Sequence, residues 1–157
     1  GSFYHYFASK EAFGCALLEQ YMANYKVRME QLWQHSEQSA HARLMALWQA
    51  GIDDPVNGSW AENCLIVKLA AEVSDLSEDM RQILNDGVHK LIQRLALLLK
   101  EGQQEGSIPK HIEPLKTAQV MYQLWLGAAL LTKLSQDKAH LHLALETTQQ
   151  LLKPIEE

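Results

Sequence analysis

Apolar side chains return every three or four residues along nearly the whole chain, and no stretch alternates polar with apolar long enough to make a half-buried strand. That period commits the chain to packed helices. Phe13, Leu17, Tyr21 and Tyr25 recur at four-residue spacing and predict one long amphipathic helix to about His35. Ser9 stands where its hydroxyl can cap the free N–H groups, and Glu11 lies at the positive end of the dipole. Ser39 opens a shorter helix with Leu44, Leu47, Trp48 and Gly51 on one side. The turn formers from Asp53 to Ser59 separate it from a helix capped by Asn63, with Cys64 as its first residue and an end near Val73. Ser77 starts the next helix, to about Gln104. Its early acids, Glu78 and Asp79, and late bases, Lys90, Arg94 and Lys100, complement the dipole. Gly102, Gly106 and Pro109 mark a break. Pro114 suits the first position of a helix with two apolar faces: Ala118, Tyr122, Trp125 and Ala129 on one, Val120, Leu124 and Leu131 on the other. Two faces need two partners, and a second subunit can supply one. A final helix, from about Asp137 to Leu152, carries Leu141, Ala144, Leu145, Thr148 and Leu152. The expected fold is all-α.

Composition narrows the function. A chain of 157 residues, 47% hydrophobic, can bury one sizeable core. The longest apolar run, Leu124 to Leu131, is too short to span a bilayer. The first residues do not show a basic segment followed by an apolar one, and two cysteines do not make a disulfide framework, so the cytoplasm is expected. Nineteen acidic against 14 basic residues exclude a basic wrap around nucleic acid, so any DNA contact must be local. The sequence contains no glycine-rich phosphate loop, no His-Glu-x-x-His pair and no nucleophile elbow. His140 and His142, two apart, point to different sides of a helix. No enzymatic activity, cofactor or metal is expected.

The run Gly1-Ser2-Phe3-Tyr4-His5-Tyr6-Phe7-Ala8-Ser9-Lys10-Glu11-Ala12-Phe13 resembles the recognition-helix segment of TetR-family transcriptional repressors, whose Ser-Lys-Glu cap opens a long connecting helix. The resemblance implies that Tyr4, His5 and Tyr6 meet the major groove or phosphates. It implies that Lys10 holds a phosphate beside the free N–H groups, and that Phe3 and Phe7 are core. Residues 1–9 would then end a helix-turn-helix domain, with roughly 30 to 50 residues expected upstream to complete a three-helix unit. Residues 10–157 would form the regulatory and dimerisation domain. The last two helices would pair with their symmetry mates in a four-helix bundle, through Leu124, Leu131, Leu141 and Leu145.

The runs Asn63-Cys64-Leu65-Ile66-Val67-Lys68-Leu69, Ala71 to Arg81 and Leu124-Trp125-Leu126-Gly127-Ala128 are similar to the NemR-like subgroup, whose members sense electrophiles and oxidants. Chemistry points to the same cysteine. The N–H groups and dipole of a helix start favour a thiolate at Cys64, and Lys68 one turn on adds positive potential. A thiolate attacks electrophiles and oxidants. The resemblance places Lys133 beside the sensing cysteine. An inert, buried Cys64 is the alternative. Cys15, among Ala12, Ala16 and Leu17, reads as packing.

Trp48, Trp60, Tyr122 and Trp125 sit on separate elements and would converge either on an apolar ligand pocket or in the core. The reading is therefore a homodimeric DNA-binding repressor released by a reactive species at Cys64 or by a small apolar ligand. The rivals are a regulator of a noncovalent ligand with Cys64 inert, and a helical interaction or carrier module without DNA binding.

Overall fold

The computed structural model describes residues 9–34, 37–53 and 64–154, and within them it shows six helices and no strand. They are α1 (Lys10–Trp33), α2 (Ala40–Ile52), α3 (Leu65–Leu76), α4 (Glu78–Glu105), α5 (Pro114–Ser135) and α6 (Ala139–Leu151). Three starts follow from serine. The hydroxyls of Ser9, Ser39 and Ser77 accept from the N–H groups of Ala12 at 3.0 Å, Ala42 at 3.1 Å and Met80 at 3.2 Å. Each such cap contributes about 1 kcal/mol. Pro114 opens α5 at the expected position. Gly106 ends α4 at φ 88°, a left-handed conformation that costs a residue with a Cβ. The chain then folds back, with Ile108 donating its N–H to the Gly102 carbonyl at 3.0 Å. A Cβ at Gly102 would stand 2.2 Å from Ile108 Cγ1, so this return needs a glycine there as well.

α1 and α4 lie side by side and run in the same direction. Glu11 accepts from the Ser77 hydroxyl, Gly14 faces Met80, Met22 lies on Gly87, and Glu30 pairs with Arg94 at 2.9 Å. Every pair is offset by 64 to 66 residues, so the register holds along both helices. α2 ties the far ends together. The Arg43 guanidinium donates to the Trp33 carbonyl at 2.8 Å and pairs with Glu101, while Glu105 accepts from the Ala40 N–H. Arg94 also stands 4.6 Å over the Trp33 ring.

The main core lies among α2, α4, α5 and α6, around the fully buried Leu44, Leu98, Leu99, Met121 and Trp125. Trp125 stacks on Trp48, ring centroids 4.3 Å apart. Its indole N–H donates to Thr148 Oγ1 at 2.9 Å, and that hydroxyl donates to the Ala144 carbonyl at 2.7 Å. A smaller cluster, with Leu18, Cys64, Ile66, Val73 and Leu84, joins α1, α3 and α4.

Two expectations need correction. Cys64 is not the first residue of α3 but its cap. Its backbone is extended, at φ −67° and ψ 116°, its side chain makes no capping hydrogen bond, and the helix runs on to Leu76. Asn63, the expected cap, lies outside the described residues. Leu141 is 0% exposed within the single chain, so it belongs to the chain's own core rather than to a subunit interface. Leu124 and Leu145 are half-buried against that core, and Leu131 is exposed. The outward stripe of α5 instead reads Val120, Leu124, Gly127, Leu131 and Leu134, at alternating four- and three-residue steps. Leu143 and Leu151 are exposed on α6.

Candidate functional site

The four-residue spacing that buries α1 also turns Tyr21 and Tyr25 inward, their rings stacked 6.2 Å apart. From α5 comes Tyr122, and Cys64 stands at the entry to α3. These four line one small cavity with Met22, Gly87 and Leu91. Its volume is about 20 Å³, room for one water-sized molecule. Cys64 itself is 2% exposed.

The first N–H groups of a helix have no partner within it. At α3 the Tyr21 hydroxyl supplies one, accepting from Leu65 N–H at 3.2 Å. The Cys64 sulfur lies close enough that its charge would raise the Tyr21 phenol. Burial pushes the three tyrosines above the ordinary phenol range. The charge that Cys64 would carry adds to this next for Tyr21 and Tyr122, and Tyr122 adds next for Tyr25. The wall of the cavity is thus made of phenols that keep their protons.

The two lysines expected near Cys64 both have exposed side chains. Lys68 donates its backbone N–H to the Cys64 carbonyl at 3.2 Å, but its side chain is exposed. Lys133 is exposed in the last turn of α5 and is not among the residues lining the Cys64 cavity. Cys15 is half-buried in α1. Burial raises its thiol, and Asp79, Glu11 and Glu19 raise it further, the opposite of activation.

Two further spaces adjoin. An apolar chamber, also of about 20 Å³, is lined by Trp48, Met29, Leu95, Tyr25, Tyr122 and Leu91, the last three shared with the Cys64 cavity. Trp48 and Tyr122 therefore line one chamber. Trp125 lies behind Trp48 in solid core, and Trp60 is outside the described residues. The Trp48 indole N–H is buried with no hydrogen-bond partner among the described residues. On the other side, a groove of about 570 Å³ runs between α1 and α4. Its floor is apolar, with Met22, Met29, Trp33 and Leu91, and its rim carries both signs, with Glu19, Lys26, Asp86 and Lys90.

The sequence reading missed Tyr21, Tyr25, Met22 and Gly87 as site residues. The pair of tyrosines four apart was the one available signal, and it is the same signal that core packing gives. Of the expected DNA-contacting residues, Tyr4, His5 and Tyr6 lie outside the described residues, and Lys10 is exposed at the first position of α1. Among the described residues no helix is long and apolar enough to cross a membrane.

Residues 40–148 match the family model for the tetracyclin repressor-like C-terminal domain. The chain is 41% identical over 152 residues to the HTH-type transcriptional repressor NemR of Escherichia coli (strain K12), spanning 97% of this chain and 76% of that protein. It is 30% identical over 142 residues to the transcriptional regulator AcuR of Cereibacter sphaeroides, spanning 90% of this chain and 65% of that one. The fold superposes on the crystal structure of the reduced form of E. coli NemR with a TM-score of 0.87 and 43% identity, covering 98% of this chain and 79% of that one. A putative transcriptional regulator of the TetR/AcrR family gives 0.86 and 56%, covering 98% and 80%. With the family model across its body and NemR matching nearly its whole length, this chain belongs to the TetR family of transcriptional repressors, within its NemR-like part.

Proposed function

We propose that this chain is the sensing and dimerising body of a repressor that leaves its operator when a reactive electrophile or oxidant modifies Cys64. The observation that carries the reading is the Cys64 thiol, held at a helix entry, lining a small cavity beside the Tyr21 hydroxyl. Identity to a repressor crystallised in a reduced form supports it. In this reading residues 1–9 end the DNA-reading unit, with Tyr4, His5, Tyr6 and Lys10 toward the operator, and residues 10–157 are regulatory. A second copy covers the outward stripe of α5 together with α6 as a four-helix bundle. The cytoplasm, where thiols stay reduced, is the fitting compartment. Gene control through protein–DNA contact requires no catalysis. Lys133 enters as the cation at the C-terminal end of α5.

The step is simple. Cys64 gives its thiol proton to water, and the sulfur lone pair forms a bond to an electrophilic carbon. With an α,β-unsaturated carbonyl the α-carbon then takes a proton back, and no other reactant is needed. The adduct exceeds a cavity that admits one water-sized molecule. Overpacking of that kind costs about 1–3 kcal/mol. Such an energy shifts a two-state equilibrium by about 5- to 150-fold. α1 and α3 meet across Cys64, so the strain falls on the helix that leads to the operator segment.

The decisive comparison uses the full-length protein on its operator. A Cys64→Ser variant is expected to stay bound when N-ethylmaleimide releases the parent protein. Release of the variant to the same extent would reject the reading. The Trp48 indole N–H, buried without a partner among the described residues, favours one second reading, in which a small apolar molecule with a single acceptor for it is the inducer, widens the neighbouring chamber on entry, and leaves Cys64 inert. Normal induction of Cys64→Ser would point there.

A further inference from the structure

A thiol that is 2% exposed cannot meet a reactant until something moves. The groove between α1 and α4 and the cavity beside Cys64 share four wall residues: Met22, Tyr25, Gly87 and Leu91. The two spaces are therefore neighbours, and the partition between them can be named. A Cβ built on Gly87 would stand 2.6 Å from Met22 Sδ and 2.9 Å from Met22 Cε. The Met22 thioether thus occupies the room that a side chain at position 87 would take, and α4 offers bare backbone beneath it. Met22 is half-buried and unbranched, so it can swing aside by rotation of its own bonds while both helices stay in place.

We propose that reactants reach Cys64 through the groove between α1 and α4, and that Met22, lying on Gly87, is the residue that selects which molecules pass. The inference rests on the sensor reading of Cys64 for its biological meaning. The groove outside is roomy, about 570 Å³, whereas the space inside is about 20 Å³, so selection by size falls at the partition. Selection by charge falls there too. The rim carries both signs and attracts neither strongly, but beyond it the walls are Met22, Leu91 and Tyr25, where a cation would lose its water and meet the positive charge of Arg28, which acts on Tyr21 and Tyr25. The substrates admitted are compact electrophiles and oxidants that carry no positive charge.

The test is alkylation of the intact protein, followed by mass spectrometry of the peptides that carry Cys64 and Cys15. In the probe reaction the sulfur displaces iodide from iodoacetamide or adds to the double bond of N-phenylmaleimide, and the thiol proton passes to buffer or to the maleimide carbon. The Met22→Ala variant is expected to raise the Cys64 rate constant about tenfold, the equivalent of about 1.4 kcal/mol of barrier. The gain should be larger for the bulky maleimide. Met22→Leu, which keeps the bulk, should stay near the parent rate. Cys15, which lies outside these walls, should react at the parent rate in both variants. An unchanged Cys64 rate in Met22→Ala overturns the proposal. So does a parallel rise at Cys64 and Cys15, which would mean general loosening. The peptide readout does not depend on DNA. Faster alkylation in Met22→Ala alongside normal induction of Cys64→Ser would leave the route standing and the sensor reading refuted.

Discussion

The hydroxyl of Tyr21 accepts from Leu65 N–H and lines the cavity beside Cys64, so phenylalanine at this position leaves that N–H without its partner. An N–H left unpaired in a buried place costs about 1–3 kcal/mol. Tyr21→Phe should therefore lower the denaturation midpoint by that order. Alkylation of Cys64 should change in rate in the variant, because a polar wall of its cavity has become apolar. An unchanged alkylation rate would remove Tyr21 from any part in the reactivity of the thiol. The three raised phenols also set an alkaline limit. Folded Tyr21, Tyr25 and Tyr122 hold their protons where unfolded ones, ordinarily near 10, release them. Above that pH the unfolded chain binds fewer protons, so stability, complete below about 10, falls as pH rises. Urea midpoints measured across that range, with phenolate absorbance as the second probe, check the sign. At this scale the sequence was half legible. Cys64 stands out because a helix start was readable around it. Its exact backbone place was not, since a cap and a first helical residue differ by one rotation of ψ. Tyr21 gave no separate signal, because its second role depends on a residue 43 positions away.

Helix ends obey local chemistry, and their consequences are local. Gly106→Ala places a Cβ at φ 88°, which costs about 1 kcal/mol and should appear as a lower melting temperature with the helix content of the native state preserved. At the other end of α4, Arg81 reaches back to both carboxylate oxygens of Glu78, and with Gln82 it holds that acid down at about 2. The carboxylate's contribution is complete above about pH 4.5 and is lost as pH falls toward about 2. An acid titration of Glu78→Gln should show a shallower loss in that window than the parent. The serine caps, Pro114 and the glycine stop were all visible in the sequence, because each acts within four residues of itself. The parallel register of α1 and α4 was not visible. It is written in contacts 64 to 66 residues apart, and either helix alone is consistent with many neighbours. The amphipathic stripe says that a face is buried without saying against what.

For the molecule as a whole, the same ambiguity misassigned one residue. α5 has two apolar faces and α6 one broad one, and nothing local distinguishes the face that meets the same chain from the face that meets a copy. Leu141 went inward. Leu134, 74% exposed at the end of the α5 stripe, and Leu131 remain outward. A Leu131→Glu, Leu134→Glu double variant should therefore keep its far-ultraviolet spectrum and fall to half the parent's mass in sedimentation. A parent protein already at monomer mass would refute the paired body.

The shared direction of α1 and α4 has a mechanical result. The two rods are tied at their far ends by Arg43, Glu101 and Glu105, and their other ends stand at the side of the chain where residues 1–9 join. Twenty-four residues of α1 span about 36 Å, so a lean of about 5° pivoting at the tied end carries the opposite tip about 3 Å. A wedge the size of a few atoms at the middle of such a lever is magnified in proportion to its arm.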